Sequence, residues 1–299
     1  MLHSCMSAAP VLLLDSPSLV YRAYFALPNS IVDGRERPVN ALLGTVNAML
    51  AASEACRPRA VVACLGAEEA VYRVALYAGY HAHRDPMPPA LADQWKRAPA
   101  LLESFDWTVS TTAELEADDV MASFARVEAQ AGGRALLLTA DRDLFQAVEE
   151  RVAVLELRKD GKPIEIGPAE VRERYGVDPP LVPDFIALRG DPSDGLPGAP
   201  GVGAKTAAEL LGRYGSLESA LAAAAEPAAV IRGEMRARVA AALREHDAQL
   251  RAFKQIAELV QVEVQRPPDR ASDLRRGAAS ARKLGMRRLA ERLEEMAKA

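Results

Sequence analysis

Val11-Leu12-Leu13-Leu14-Asp15 is four apolar residues closed by one acid. So short an apolar run, with no polar alternation, reads as a strand buried on both faces, the signature of a parallel sheet covered by helices. Residues 60–65, 135–138 and 152–157 repeat the form, and helical patterns occupy 18–27, 39–55, 116–129 and 144–149. Short apolar strands alternating with helices predict an α/β fold with a mainly parallel sheet. Asp15 then stands at the C-terminal end of its strand, the edge at which open parallel sheets bind ligands.

Residues 85–102 carry Pro86, Pro88, Pro89 and Pro99 with Gln94, Lys96 and Arg97, and read as a partly helical, mobile excursion. Beyond Asp178 the strand signal fades into a Gly/Pro turn region, 190–203, and helical patterns follow to the end apart from a weak strand at 259–264. A division near residue 180 is expected, with an α/β core in 1–180 and a helical region in 181–299.

The 299 residues include 49% hydrophobic and 26% charged residues, ordinary globular composition that excludes disorder, collagen and coiled coil. No apolar run approaches the roughly 18 residues of a membrane span, and the first ten residues lack the layout of a secretory signal, so a cytoplasmic protein is expected. Cys5, Cys56 and Cys64 are odd in number with no C-x-x-C pair, which argues against disulfides and thiolate zinc; they read as small buried or tail residues. A net charge of −4 looks wrong for a nucleic-acid binder, whose affinity rests on neutralising phosphates. The charge is segregated, however: residues 266–299 hold ten basic and five acidic residues.

The acids are grouped. Asp15 ends the first strand, Glu116, Asp118 and Asp119 open a helix, Asp141 and Asp143 follow the third strand, and Asp191 and Asp194 lie in a Gly/Pro turn. Singly, each has a structural explanation in helix dipoles or turn chemistry. Together, three of the four groups fall on one predicted sheet edge, where two carboxylates 4 Å apart repel by about 4 kcal/mol. A cation between them answers that repulsion. Oxygen-only donors select Mg²⁺ or Mn²⁺ over zinc, and one or two such ions can activate water for phosphodiester hydrolysis.

The stretch Gly198-Ala-Pro-Gly-Val-Gly-Ala-Lys-Thr206 superficially resembles a nucleotide-binding P-loop, but Ala204 separates the last Gly from Lys205 and no strand precedes it. It reads instead as a hairpin between helices. Gly201 and Gly203 let the backbone approach a phosphate that Lys205, Thr206 and the following helix start bind without reading sequence.

From about Val11 to Leu221, these residues resemble the bacterial flap endonuclease and 5′ exonuclease family, free-standing relatives of the 5′ nuclease domain of DNA polymerase I. Tyr21-Arg-Ala-Tyr24, Glu116-Ala-Asp-Asp119, Thr139-Ala-Asp-Arg-Asp143 and the run 190–207 carry the likeness. The resemblance implies a PIN-like α/β core, a helical arch at 85–102, and a C-terminal helix-three-turn-helix element that grips duplex DNA, often with a bound K⁺. It implies a first metal held by Asp15, Glu116 and Asp118, and a second served mainly by Asp141, Asp143 and Asp191. Asp119 and Asp194 would support them. Arg73 and Arg84 match basic positions that steer the scissile phosphate. A monomer acting on DNA with 5′ ends, flaps or nicks, beside a polymerase or ligase, is the expectation.

The chain also departs from the family. Gly66 stands where the family carries a metal-ligating Asp, His81 where it carries a phosphate-contacting Lys, and Gly195 where an Asn is usual. Returning Asp at 66 is therefore expected to tighten metal dependence, and His81 is read as a substrate contact in preference to a metal ligand paired with His83. Two rivals stay open: a DNA-binding homologue that cannot turn over, and a PIN-type ribonuclease sharing the sheet.

Overall fold

The structure, a computed structural model, describes residues 9–158 and 163–298, so Cys5 lies outside the described residues. One sheet contains β1 (Val11–Asp15), β2 (Ala60–Leu65), β3 (Thr108–Thr111), β4 (Ala135–Leu138), β5 (Val152–Leu157) and β6 (Pro163–Ile166). Their order is β3-β2-β1-β4-β5-β6. The first five strands are parallel, and β6 pairs antiparallel with β5. Every residue of β1 is buried. Val11 and Leu13 enter one core and Leu12 and Leu14 the other, as the two-residue period of a strand demands.

The helices, in chain order, are α1 (Ser16–Ala26), α2 (Asn40–Cys56), α3 (Val71–Leu76), α4 (Pro89–Glu103), α5 (Ala117–Gln130), α6 (Pro168–Tyr175), α7 (Val182–Arg189), α8 (Ala204–Tyr214), α9 (Leu217–Ala225), α10 (Pro227–Ile231), α11 (Ala237–Glu245), α12 (Asp247–Ala257), α13 (Leu274–Lys283) and α14 (Arg287–Met296). α5, α7 and the helices of 204–257 share the first core. α1, α2 and α4 share the second, joined by α13 and α14 from the far end of the chain. Met286, Leu289 and Leu293 are buried there, and three such side chains contribute about 6 kcal/mol of apolar burial. No helix of the described residues is long and apolar enough to cross a membrane.

Four sequence expectations change. β3 and β6 went unseen because neither is a buried apolar run: β3 is Thr-Val-Ser-Thr with no buried residue, and β6 buries only Ile166. Residues 144–149 are not an α-helix, since the turn is 3-10 over Asp143–Ala147. Residues 259–264 form no strand: the amides of Val260 and Val262 donate to Asp119 Oδ1 and Ser123 Oγ, side chains near the start of α5, and so have no need of a ladder. The segment 85–102 is anchored, because Leu91, Leu101 and Leu102 of α4 lie in the second core and Gln94 bonds Ala41 N and Asn40 Oδ1.

Candidate active site

The acids gather where β1 and β4 end. Asp15 is the last residue of β1 and the N-cap of α1: Oδ1 accepts from Ser18 N at 3.0 Å, and Oδ2 accepts from the Thr139 hydroxyl at 2.6 Å. Thr139 Oγ1 accepts in turn from Asp141 N, and Asp141 Oδ1 from Asp143 N, each at 2.9 Å. One hydrogen-bond chain thus orients acids from two strands. Glu116 precedes α5 and accepts from Tyr80 Oη at 3.0 Å and Ala70 N at 2.8 Å. Asp119 is fully buried and fully engaged: Oδ2 accepts from Glu116 N, and Oδ1 from Val260 N and Arg73 Nη2.

All eight acids fall in one electrostatic group. Burial raises Asp15, opposed by Thr139 and Ser18 and reinforced by Glu116. Burial pushes Asp118 well above the usual carboxylate range, with Arg73 opposing and Asp119, Glu116 and Asp141 adding. Asp119 is raised for the same first reason and likewise held back by Arg73. Asp143 is pushed far up by burial and then by Asp141, Asp194, Asp191 and Asp118. Crowding around its carboxyl pushes Asp141 up to about 7, aided by Asp194, Asp15 and Asp191. Asp141 as a residue stays exposed, so water screens part of that rise.

Of the three basic residues expected at a phosphate, only Arg84 has an open side chain, 48% exposed and 3.2 Å from Asp194 Oδ1. Arg73 and His81 are corrected in place. Arg73 is 2% exposed, with Nη1 3.1 Å from Glu116, Nη2 2.9 Å from Asp119 and Nε bonded to Ile256 O. It lies beneath the acids and binds them together. His81 is buried, stacked on Tyr80 at 3.8 Å, with Nε2 3.1 Å from Asp194 Oδ1 and Nδ1 without a hydrogen-bond partner among the described residues. His83 is exposed, with its Nδ1 beside Gly195. Thr139 and Tyr80 hold two of these acids, and neither is assigned a role by the sequence pattern alone. Thr139 opens the stretch Thr139-Ala-Asp-Arg-Asp143, and Tyr80 directly precedes His81; those positions are the only signal that sequence offers for them.

The second acid pair begins the segment that ends in the hairpin. Asp191 N donates to Leu196 O and Leu196 N to Asp191 O, both at 2.8 Å, closing a tight turn. Gly190, at φ +84, is required there because a Cβ would meet Leu196 O at 2.6 Å. Gly201 (φ +77) leads to Gly203, the N-cap of α8; Lys205 is 92% exposed, and Thr206 Oγ1 accepts from Arg236 Nη2. Gly201, Gly203, Lys205 and Thr206 thus adjoin one another at the start of α8.

Among the described residues no three His, Cys, Asp or Glu side chains stand at ligating distance of one point. What fits a hard cation is the chemistry of the donors: oxygen only, mutually repelling, and oriented by Thr139, Tyr80 and Arg73.

Comparison with known proteins identifies the chain. A family model for the 5′-3′ exonuclease N-terminal resolvase-like domain matches residues 10–176, and one for the 5′-3′ exonuclease C-terminal SAM fold matches 177–277. The chain belongs to the 5′-3′ exonuclease family. A 5′-3′ exonuclease of Mycobacterium tuberculosis is 34% identical, over 96% of this chain and 97% of that one. One from Streptomyces coelicolor is 37% identical over 76% and 80%. The match to DNA polymerase I of Mycobacterium leprae is 36% identical over 84% of this chain but 27% of the polymerase. In fold, the chain resembles a bacteriophage T5 flap endonuclease complexed with DNA and metal ions, with a TM-score of 0.68, 16% identity and coverage of 97% and 100%. It also resembles the catalytic core of Rad2 with DNA substrate, with a TM-score of 0.63, 15% identity and coverage of 96% and 90%.

In this 5′-3′ exonuclease, Gly66 allows a backbone approach that a side chain forbids. A Cβ there would lie 2.6 Å from Ala117 N, Glu116 C and Leu115 O. Gly66→Asp is therefore expected to displace the start of α5, and Glu116 with it, in place of the tighter metal dependence that the sequence alone suggested. A stability loss of about 1–3 kcal/mol, the range for overpacking, with weaker cleavage is the expected result by denaturant melt and flap assay. Full stability with a lower Mn²⁺ requirement would show that the loop moves aside freely.

Proposed function

We propose that the chain hydrolyses phosphodiesters of DNA at 5′ ends and 5′ flaps, using a divalent cation. The observation that carries this reading is the continuity of the site: Asp191 and Asp194, in the acid group, and Gly201 to Thr206, at the start of α8, belong to one segment following α7. A phosphate backbone gripped at the hairpin is thereby tied to the acids by covalent chain.

Asp15, Glu116 and Asp118 would hold one ion, and Asp141, Asp143 and Asp191 a second, with Asp119 and Asp194 in support. When bound, Mg²⁺ or Mn²⁺ supplies Lewis acidity toward the phosphate and lowers the pKa of water. Arg84 neutralises phosphate charge at the open side of the site. Arg73 offsets the repulsion among Glu116, Asp118 and Asp119 from below, and His81 and Tyr80 hold Asp194 and Glu116 in place. Lys205, Thr206 and the amides of α8 grip the duplex without reading its sequence.

The test is cleavage of a 5′-flap duplex against a Mn²⁺ or Mg²⁺ titration, beside an all-RNA strand of the same sequence. Metal-dependent release of the DNA flap is expected. Preference for RNA would overturn the substrate. Binding without cleavage at every metal concentration would favour the inactive reading, to which the absent carboxylate at Gly66 points.

A further inference from the structure

We propose that Arg189 is a positioning residue for the second metal site: anchored on a buried aromatic stack, it fixes Asp191 relative to Asp143 and so sets the affinity for the ion that these acids would share. This rests on the metal-dependent nuclease reading above. Arg73 stands within ion-pair distance of Glu116, Asp118 and Asp119. Arg189 is its counterpart in the other half of the acid group.

The stack is built from three elements. Phe145 lies in the 3-10 turn that begins at Asp143, Tyr175 ends α6, and Phe185 lies in α7. Tyr175 and Phe185 are stacked at 4.9 Å, Phe145 meets Tyr175 at 5.6 Å, and all three are buried. Arg189, the last residue of α7, places its guanidinium 5.2 Å from the Phe185 ring centre and 5.7 Å from that of Tyr175. A cation over an aromatic face is held by the ring quadrupole, and the guanidinium keeps its N–H donors for other partners. Nε donates to Gly190 O at 2.9 Å and Nη2 to Asp191 Oδ2 at 3.3 Å. The Arg189 side chain is 24% exposed, so salt and water screen this pair only in part.

Asp191 needs such a support. It follows Gly190, at φ +84, on a turn. Its Oδ1 accepts from the amide and the hydroxyl of Ser193, a residue of the same turn, so those bonds shape the turn and travel with it. Oδ2 has Arg189 as its one hydrogen-bond partner among the described residues. Asp143 is tied to the same stack by the chain, two residues before Phe145. The stack therefore carries both acids, one through covalent links and the other through Arg189. Asp191 is among the charges that raise Asp141 and Asp143, so the three repel. Without its tether, Asp191 would swing away from the other two on its turn. A carboxylate oxygen has a second lone pair beside the one that Arg189 uses, so the arginine and an ion can be held together. Loss of a group that orients a ligand costs about tenfold to a hundredfold in metal affinity or activity.

The experiment measures Mn²⁺ binding to the DNA-free protein by isothermal titration calorimetry for wild type, Arg189→Met and Arg189→Lys, beside 5′-flap cleavage over a Mn²⁺ series. Methionine keeps apolar contact with the rings and removes both the charge and the fork. Arg189→Met is expected to bind Mn²⁺ about tenfold more weakly and to need about tenfold more Mn²⁺ for half-maximal cleavage. At saturating Mn²⁺ it should regain most of the wild-type rate, with an unchanged KM for DNA. Arg189→Lys should fall between, since an ammonium keeps the charge but cannot span Gly190 O and Asp191 Oδ2 as the fork does. A lower melting temperature with wild-type Mn²⁺ affinity would mean that Arg189 only fastens α7, and overturns the proposal. Tighter Mn²⁺ binding by Arg189→Met overturns it as well, because the arginine would then be a competitor of the ion. Should Arg189→Met fail to fold, Arg189→Lys decides: weaker Mn²⁺ binding is expected, and wild-type affinity sinks the idea. A wild type that binds Mn²⁺ without cutting the flap refutes the nuclease reading alone, since the calorimetric comparison still tests Arg189; one that binds no Mn²⁺ overturns both.

Discussion

Asp141→Ala is expected to lower metal-dependent flap cleavage by about 10²- to 10³-fold, the range seen when one preorganised electrostatic group is removed from a reaction centre. The same change is expected to stabilise the metal-free protein above neutral pH. Asp141 is pushed up to about 7 by crowding and by the charges of Asp194, Asp15 and Asp191. A raised carboxyl is at no disadvantage below its ordinary value near 3.8, where it is protonated folded or unfolded. As pH rises through the raised value, the folded state loses stability, because it must ionise a group that the unfolded chain ionises more readily. Asp15, Asp118 and Asp143 act in the same direction. Melting curves at pH 4 and pH 8 check this: wild type and Asp141→Ala should differ little at pH 4, and the variant should melt higher at pH 8. Mg²⁺ should raise the wild-type melting temperature at pH 8 more than that of the variant. A variant that loses stability at pH 8 while keeping activity would show that Asp141 holds the loop together and takes no part in the reaction.

Arg73→Met is expected to cause the largest loss of stability, about 3–5 kcal/mol, the cost of leaving a buried charge without its partner. The guanidinium is 2% exposed and lies within ion-pair distance of three acids. It also bonds Ile256 O, at the end of α12. Removing it leaves Asp119 and Glu116 facing each other across a dry space and loosens the C-terminal helices where they meet the site. Arg73→Lys should recover part of the loss: a single ammonium keeps the charge, but it cannot reproduce the fork that spans two acids and a carbonyl. Denaturant melts of the two variants decide it. A loss below about 1 kcal/mol for Arg73→Met would mean that water compensates the pairs.

Arg73 also shows where sequence reading stops. Its motif position placed it at the phosphate, and nothing in one dimension tells an arginine that meets a ligand from one buried beneath the residues that do. His81 has the same history. Standing where the family keeps a lysine, it reads as a substrate contact, but folding turns its ring onto Asp194. Gly66 is the converse case. The absence of a ligand was legible at once, but the steric reason why an aspartate cannot simply be returned required the position of α5.

Sequence alone determined the parallel core and the placing of eight acids at strand ends, helix starts and one turn. A strand buried on both faces must be apolar throughout, and acids at strand ends and helix starts keep their spacing whatever the packing. The edge strands β3 and β6 escaped because half-exposed strands carry no such constraint. Only the tertiary structure decided which basic residues lie open, how Thr139 and Tyr80 hold the acids, and that α13 and α14 return to the second core, where Gly285 packs against Asp33. Those facts depend on contacts between residues up to about 250 positions apart, and local propensity and periodicity carry no information at that range.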